Sequence, residues 1–135
     1  MSGVLVDTNV LIDILTRDRT WFTWSRDALA ATANASTLVI NPIVYGELSV
    51  GFQEIEALDA VLPPDVYRRE PLPFAAAFLA GKAFQAYRDR GGGRSSPLAD
   101  FYIGTHAAIA GYRLLTRDAS RYRTYFPRLQ LIAPS

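Results

Sequence analysis

Short apolar runs recur along the chain, and each stops at a polar residue. Val4-Leu5-Val6 ends at Asp7, Leu38-Val39-Ile40 at Asn41, and Leu114-Leu115 at Thr116-Arg117-Asp118. Runs of this length bounded by polar breaks predict strands, the first over Gly3 to Val6 and the second over Leu38 to Ile40. Helical spacing fills the intervals. Asp7-Thr8-Asn9 supplies capping residues for a helix through Leu15, with Val10, Leu11, Ile14 and Leu15 on one face. A second helix is predicted from Thr20 to Asn34. Pro42 sits where the first turn of a helix accepts proline, and that helix carries Ile43, Glu47 and Leu48. A further helix over Gln53 to Leu62 stops at Pro63-Pro64, and Val66 to Leu72 is polar enough for an exposed edge strand.

The second half repeats the alternation. Pro73 begins a long helix to about Asp89, and Gly91-Gly92-Gly93-Arg94-Ser95-Ser96 has the composition of a flexible loop. Pro97 opens a helix through Ala110 that Gly111 closes. Tyr112 to Thr116 is the fourth strand, Asp118 to Tyr125 is helical, and Leu129 to Ile132 completes a sheet of about five strands. Strands alternating with helices predict an α/β fold with a mostly parallel sheet covered on both faces, in a single domain over residues 1–135. Ligands of such sheets bind beyond the carboxyl ends of the strands, where the strand order reverses.

Composition narrows the chemistry. The chain has 135 residues, half of them apolar, which suffices for a core without staples. It has no cysteine, so disulfides and thiolate metal sites are excluded and any metal must rest on oxygen ligands. The N-terminus shows no basic segment followed by a long apolar one, and no apolar run approaches the roughly 20 residues that span a bilayer. A cytoplasmic protein with no membrane partner is expected. Net charge is only +1, so contact with a polyanion must come from local clusters.

Four acidic residues lie where apolar segments end: Asp7, Glu47, Asp100 and Asp118. Singly each has a plain role, with Asp7 and Asp118 as helix caps and Asp100 as a favourable first-turn charge. Glu47 is harder to place on those grounds, because Ile43, Val44, Leu48 and Val50 around it are apolar. Asp7 and Asp118 follow strands, while Glu47 and Asp100 lie early in helices that start from the same sheet edge, so all four are expected to converge. Carboxylates sharing one cleft raise one another's pKa unless a cation neutralises them. Hard oxygen ligands suit Mg²⁺ or Mn²⁺, and such ions act on phosphates, which points to phosphodiester hydrolysis.

These residues also carry a family resemblance. Asp7-Thr8-Asn9, Glu47, the Pro97-x-x-Asp100-x-x-Ile103-Gly104-x-x-Ala107 helix and Leu115-Thr116-Arg117-Asp118 resemble the motifs of PIN-domain ribonucleases. The length and order of elements are similar to VapC-type toxins of bacterial toxin-antitoxin pairs. The ordered set carries the resemblance, and it spans nearly the whole chain. It implies a three-layer α/β/α sandwich and a Mg²⁺- or Mn²⁺-dependent endoribonuclease whose metal is held by Asp7, Glu47, Asp100 and Asp118. Asn9 and Thr116 would be supporting polar residues. An RNA substrate, a cognate antitoxin and a homodimer are implied in the same way.

Other residues invite weighing. Asp13 shares a helical face with Asn9, yet it reads as a solvated position. His106 lies six residues after Asp100, about 240° around an ideal helix, and reads as structural or interfacial. Arg94 and Arg117 are candidate substrate contacts, and Arg113, Arg121, Arg123 and Arg128 extend a basic rim or simply keep the surface soluble. Trp21-Phe22-x-Trp24, Tyr122, Tyr125 and Phe126 suit a core or an interface better than base stacking. Two other functions compete with the nuclease. A receiver-like signalling domain needs a lysine at a strand end, whereas the single lysine, Lys82, lies inside a predicted helix. A catalytically silent binding module of the same fold has no support from the four acidic positions, all of which are occupied.

Overall fold

Val4, Leu5 and Val6 are completely shielded from solvent. In the computed structural model, which describes residues 3–92 and 97–135, they belong to β1 (Gly3–Val6) at the centre of five parallel strands. β2 (Thr37–Ile40) and β4 (Arg113–Leu115) flank it, so that Leu5 pairs with Val39 on one side and Leu114 on the other. β3 (Tyr67–Arg69) and β5 (Leu131–Ile132) form the edges, giving the order β3-β2-β1-β4-β5. Parallel neighbours need long crossovers, and helices supply them. α1 (Thr8–Leu15) and α2 (Phe22–Ala35) join β1 to β2, and α3 (Pro42–Ser49) and α4 (Ile55–Val61) join β2 to β3. α5 (Phe74–Asp89) and α6 (Leu98–Ala110) lead back to β4, and α7 (Ser120–Tyr125) leads on to β5.

This is the α/β arrangement expected from the sequence, with every strand pair parallel. The chain moves outward from β1 to β3 and returns on the other side at β4, so the strand order reverses between β1 and β4. Asp7 and Thr116 follow those two strands.

Local chemistry sets the helix boundaries. Asn41 caps α3 by accepting the Val44 N–H at 3.0 Å, and Pro42 occupies the first turn. Gly111 closes α6 in the left-handed region (φ +74°). Gly104 lets α6 lie against Phe126, since a Cβ there would come within 2.7 Å of the ring.

Some elements are shorter than the sequence predicts, two of them for a local reason. α2 starts at Phe22 because the Asp18 carboxylate takes the N–H groups of Thr20 and Trp21 at 3.0 and 2.8 Å, holding a turn before the helix. The edge strand keeps only Tyr67–Arg69; pairing ends as Glu70 N–H donates to Ile40, and Pro71 and Pro73 offer no donor to extend it. α7 begins at Ser120 and β5 at Leu131. The glycine-rich loop is described only as far as Gly92, so Arg94 lies outside the described residues. On α1, Leu15 is 41% exposed while Asp13 is buried, which reverses the expected face for both. Among the described residues no helix is long and apolar enough to cross a membrane.

Candidate active site

β1 delivers Asp7 into the interior. Its N–H still donates to Leu115 O across the sheet at 2.9 Å, and its carboxylate then caps α1, with Oδ1 accepting from Thr8 N at 2.8 Å. Oδ2 accepts from the Thr116 hydroxyl at 2.8 Å, the Tyr122 hydroxyl at 2.9 Å and the Asn9 amide at 3.3 Å. Among the described residues Oδ1 therefore has one protein donor and Oδ2 three. Asp7 is 3% exposed. Burial, and after it the charge of Asp100, push its carboxyl up to about 7 against these hydrogen bonds.

Asn9 and Thr116 stitch the segment after β4 to α1. The Asn9 amide nitrogen also lies 3.2 Å from Thr116 Oγ1, while Asn9 Oδ1 accepts the Arg117 N–H at 3.3 Å. Thr116 Oγ1 in turn accepts the Asp118 N–H at 3.2 Å. Glu47 reaches the same region from α3, accepting from the Thr8 hydroxyl at 2.6 Å. Asp100, in the first turn of α6, accepts from Arg121 Nη1 at 2.5 Å.

Asp7, Glu47 and Asp100 line one cleft of about 800 Å³, whose remaining wall is largely apolar, including Ile12, Leu15 and Val50. Asp118 does not line it. It is exposed, accepts from Ser120 Oγ at 3.3 Å, and does not cap α7 with its side chain. Its charge nonetheless reaches Asp100, whose carboxyl is raised by burial first, lowered by Arg121, and raised again by Asp118. The expected convergence thus holds for three carboxylates, with the fourth outside.

Among the described residues no three acidic or histidine side chains form a group set to hold a metal ion as they stand. The donors still fit one. They are hard oxygens, and Asp7 carries a charge that its surroundings penalise and a divalent cation would offset.

The other candidates resolve differently. Arg117 Nε pairs with Asp13 at 2.9 Å, and Ser25 donates to the same Oδ2 at 2.7 Å, so Asp13 is a buried anchor and not a solvated residue. Among the described residues its Oδ1 has no hydrogen-bond partner. His106 is buried; its Nδ1 accepts from the Asn41 amide at 3.0 Å, which leaves Nε2–H facing Glu70 at 3.6 Å. Burial lowers its pKa more than Glu70 raises it, so the contact is that of a neutral imidazole with a carboxylate. Trp21 and Trp24 meet edge to face, and Trp24 packs against the core. Lys82 is exposed on α5, with its Nζ over Phe78, which leaves a receiver-like site without its lysine.

Three contacts escaped the sequence reading: Tyr122 on Asp7, Thr8 on Glu47 and Arg121 on Asp100. Arg121 and Tyr122 follow Asp118 by three and four residues, so one helical turn past the last acidic motif was the available signal.

Fold and site together define an α/β domain with an acid-lined cleft beyond the carboxyl edge of its sheet. The chain belongs to the PIN domain family, which matches residues 4–127. Among solved structures it is similar to Rickettsia felis VapBC2 bound to a promoter DNA fragment, at 18% identity and TM-score 0.72, covering 98% of this chain and 99% of that one. It is also similar to Haemophilus influenzae VapBC-1, at 20% identity and TM-score 0.72, covering 97% of each chain. A toxin-antitoxin complex from Klebsiella pneumoniae matches at 21% identity and TM-score 0.70, covering 98% of each. No curated protein matches the chain significantly.

Proposed function

We propose that this PIN domain is a Mg²⁺- or Mn²⁺-dependent endoribonuclease and the toxin of a toxin-antitoxin pair. The observation that carries the reading is the placement of Asp7, Glu47 and Asp100 along one cleft, with the Asp7 carboxyl raised to about 7 by burial and by Asp100. Asp7 and Asp100 are the principal ligands, with Glu47 completing the site directly or through water and Asp118, outside the cleft, through water. These carboxylates would hold a divalent ion, which would supply a lowered pKa for an attacking water and a counter-charge for the phosphate. Asn9, Thr116 and Tyr122 orient Asp7 by holding Oδ2, which leaves Oδ1 the freer oxygen. Glu47 is placed to orient the nucleophile. Water adds to phosphorus, the bond from phosphorus to the leaving ribose oxygen breaks, and that oxygen takes up the proton. Arg94 and Arg117 are the proposed substrate contacts, Arg117 from its half-exposed place beside the Asp118 segment.

The partner assignment has separate support. The apolar wall of the cleft exposes Ile12, Leu15 and Val50 to 40, 41 and 89%, a surface suited to an apolar antitoxin segment, and the similar structures are toxin-antitoxin complexes. Phe74 and Phe78 stand 94 and 66% exposed on α5, which favours a homodimer. A toxin directed at cellular RNA acts in the cytoplasm.

Purified protein, freed of any inhibitor, is incubated with a panel of structured RNAs in Mg²⁺, in Mn²⁺ and in chelator, beside Asp7→Asn and Asp100→Asn. The proposal expects cleavage only with metal and only by the parent. Cleavage that ignores chelator, or full cleavage by both variants, overturns it.

A further inference from the structure

Arg121 joins the acidic cleft to a cluster of aromatic rings. Its guanidinium donates to Asp100 Oδ2 at 2.5 Å, the two side chains are 35 and 33% exposed, and Asp100 is the member of the pair that lines the cleft. The same guanidinium stands over the Tyr87 ring, 5.8 Å from its centroid. Tyr87 meets Tyr125 edge to face at 6.2 Å, and Arg90 covers the Tyr125 ring at 5.6 Å. A bank of arginines held on aromatic rings thus runs from Asp100 away from the cleft. Arg88, over Phe84, extends it, and Arg88 and Arg90 are exposed.

From this we infer that Arg121 is the resident counter-cation of Asp100, displaced when a divalent ion takes that carboxylate and then turned, with Arg90, onto an RNA phosphate beside the cleft. The inference rests on the metal-dependent nuclease reading. Two cations on one carboxylate repel, and a divalent ion holds hard oxygen more strongly than a half-exposed guanidinium does. The displaced guanidinium stays tethered to α7 with a ring beneath it, and Arg suits bidentate contact with phosphate. Carboxylates lining the cleft repel a polyanion, so a cation arriving at the rim as metal enters couples the two binding events. Ring faces around Tyr87 are already taken by Phe84, Phe101 and the Gly92 backbone, which makes this bank a phosphate contact and not a base-stacking platform.

The test measures Mn²⁺ affinity from the free-ion EPR signal, and binding of a short fluorescent 2′-O-methyl oligoribonucleotide of mixed sequence by anisotropy, with and without Mn²⁺. Arg121→Gln keeps a shorter, polar and uncharged side chain, Arg121→Ala removes it, and Arg121→Lys restores the charge; circular dichroism establishes that each is folded. The expected result is opposite movement. Both neutral variants bind Mn²⁺ about three- to tenfold more tightly, as loss of a half-exposed competing ion pair implies, and bind the oligonucleotide in Mn²⁺ about three- to tenfold more weakly. Arg121→Lys recovers part of each change. Unchanged or weaker Mn²⁺ binding by the folded neutral variants, or unchanged oligonucleotide binding in Mn²⁺, overturns the inference and leaves the nuclease reading intact. Absence of Mn²⁺ binding by the parent protein overturns both.

Discussion

Replacing Asp7 by asparagine should stabilise the metal-free protein at alkaline pH while ending RNA cleavage. Folding raises the Asp7 carboxyl from 3.8 to about 7, so between those values the native state binds more protons than the unfolded chain. Stability therefore falls as pH rises through that window, and the full penalty is present above it. A rise of about three units at 1.36 kcal/mol each sets the penalty at about 4 kcal/mol. Asparagine carries no charge and escapes it. The amide oxygen can still accept from Thr116 and Tyr122, but its NH₂ then faces the Thr8 N–H, and losing that cap costs about 1 to 3 kcal/mol. The net gain is about 1 to 3 kcal/mol above about pH 8, or about 4 to 12 °C in Tm for a domain of this size. Below about pH 4 the gain vanishes and the variant is the less stable of the two. Thermal melts in chelator across this range measure the difference, and Mn²⁺ should raise the Tm of the parent alone. A variant destabilised by the same amount at every pH would refute the reasoning.

Arg117→Ala takes from buried Asp13 its cationic partner while Ser25 remains, and urea denaturation should show a loss of about 1 to 3 kcal/mol, less than for a fully buried pair because Arg117 is part exposed. Adding Asp13→Asn should recover part of it. Gly104→Ala drives a methyl into Phe126 and should cost about 1 to 3 kcal/mol in the same assay. His106 has a lowered pKa, so below about pH 6.5 the unfolded chain binds the extra proton and stability falls with pH; His106→Gln should flatten that acid limb in pH-dependent melts.

The central strands were readable because β1, β2 and β4 are buried on both faces and so are written as unbroken apolar runs. Asn41-Pro42 and Gly111 marked helix ends through chemistry that needs only near neighbours. Side-chain partnerships distant in sequence were not readable. Asp13 looked like a surface residue because Arg117 lies 104 positions away, and Tyr122, which is core as expected, gave no sign that its hydroxyl meets Asp7 across 115. Asp7 and Asp100 were placed in one cleft by reasoning about strand ends and helix starts, whereas Glu47, expected early in its helix, reaches the cleft from the last turn of α3 (Pro42–Ser49). Asp118 obeyed the same rule yet stands outside, since Thr116, two residues earlier, turns inward and takes the contact with Asp7.

The most direct measurement is anomalous scattering from a crystal of the protein grown or soaked in Mn²⁺. A manganese peak is expected in the cleft, where Asp7 and Asp100 would hold the ion and Glu47 would complete its site directly or through water. Density that shows the cleft without manganese at saturating ion, or manganese bound only elsewhere, would contradict it.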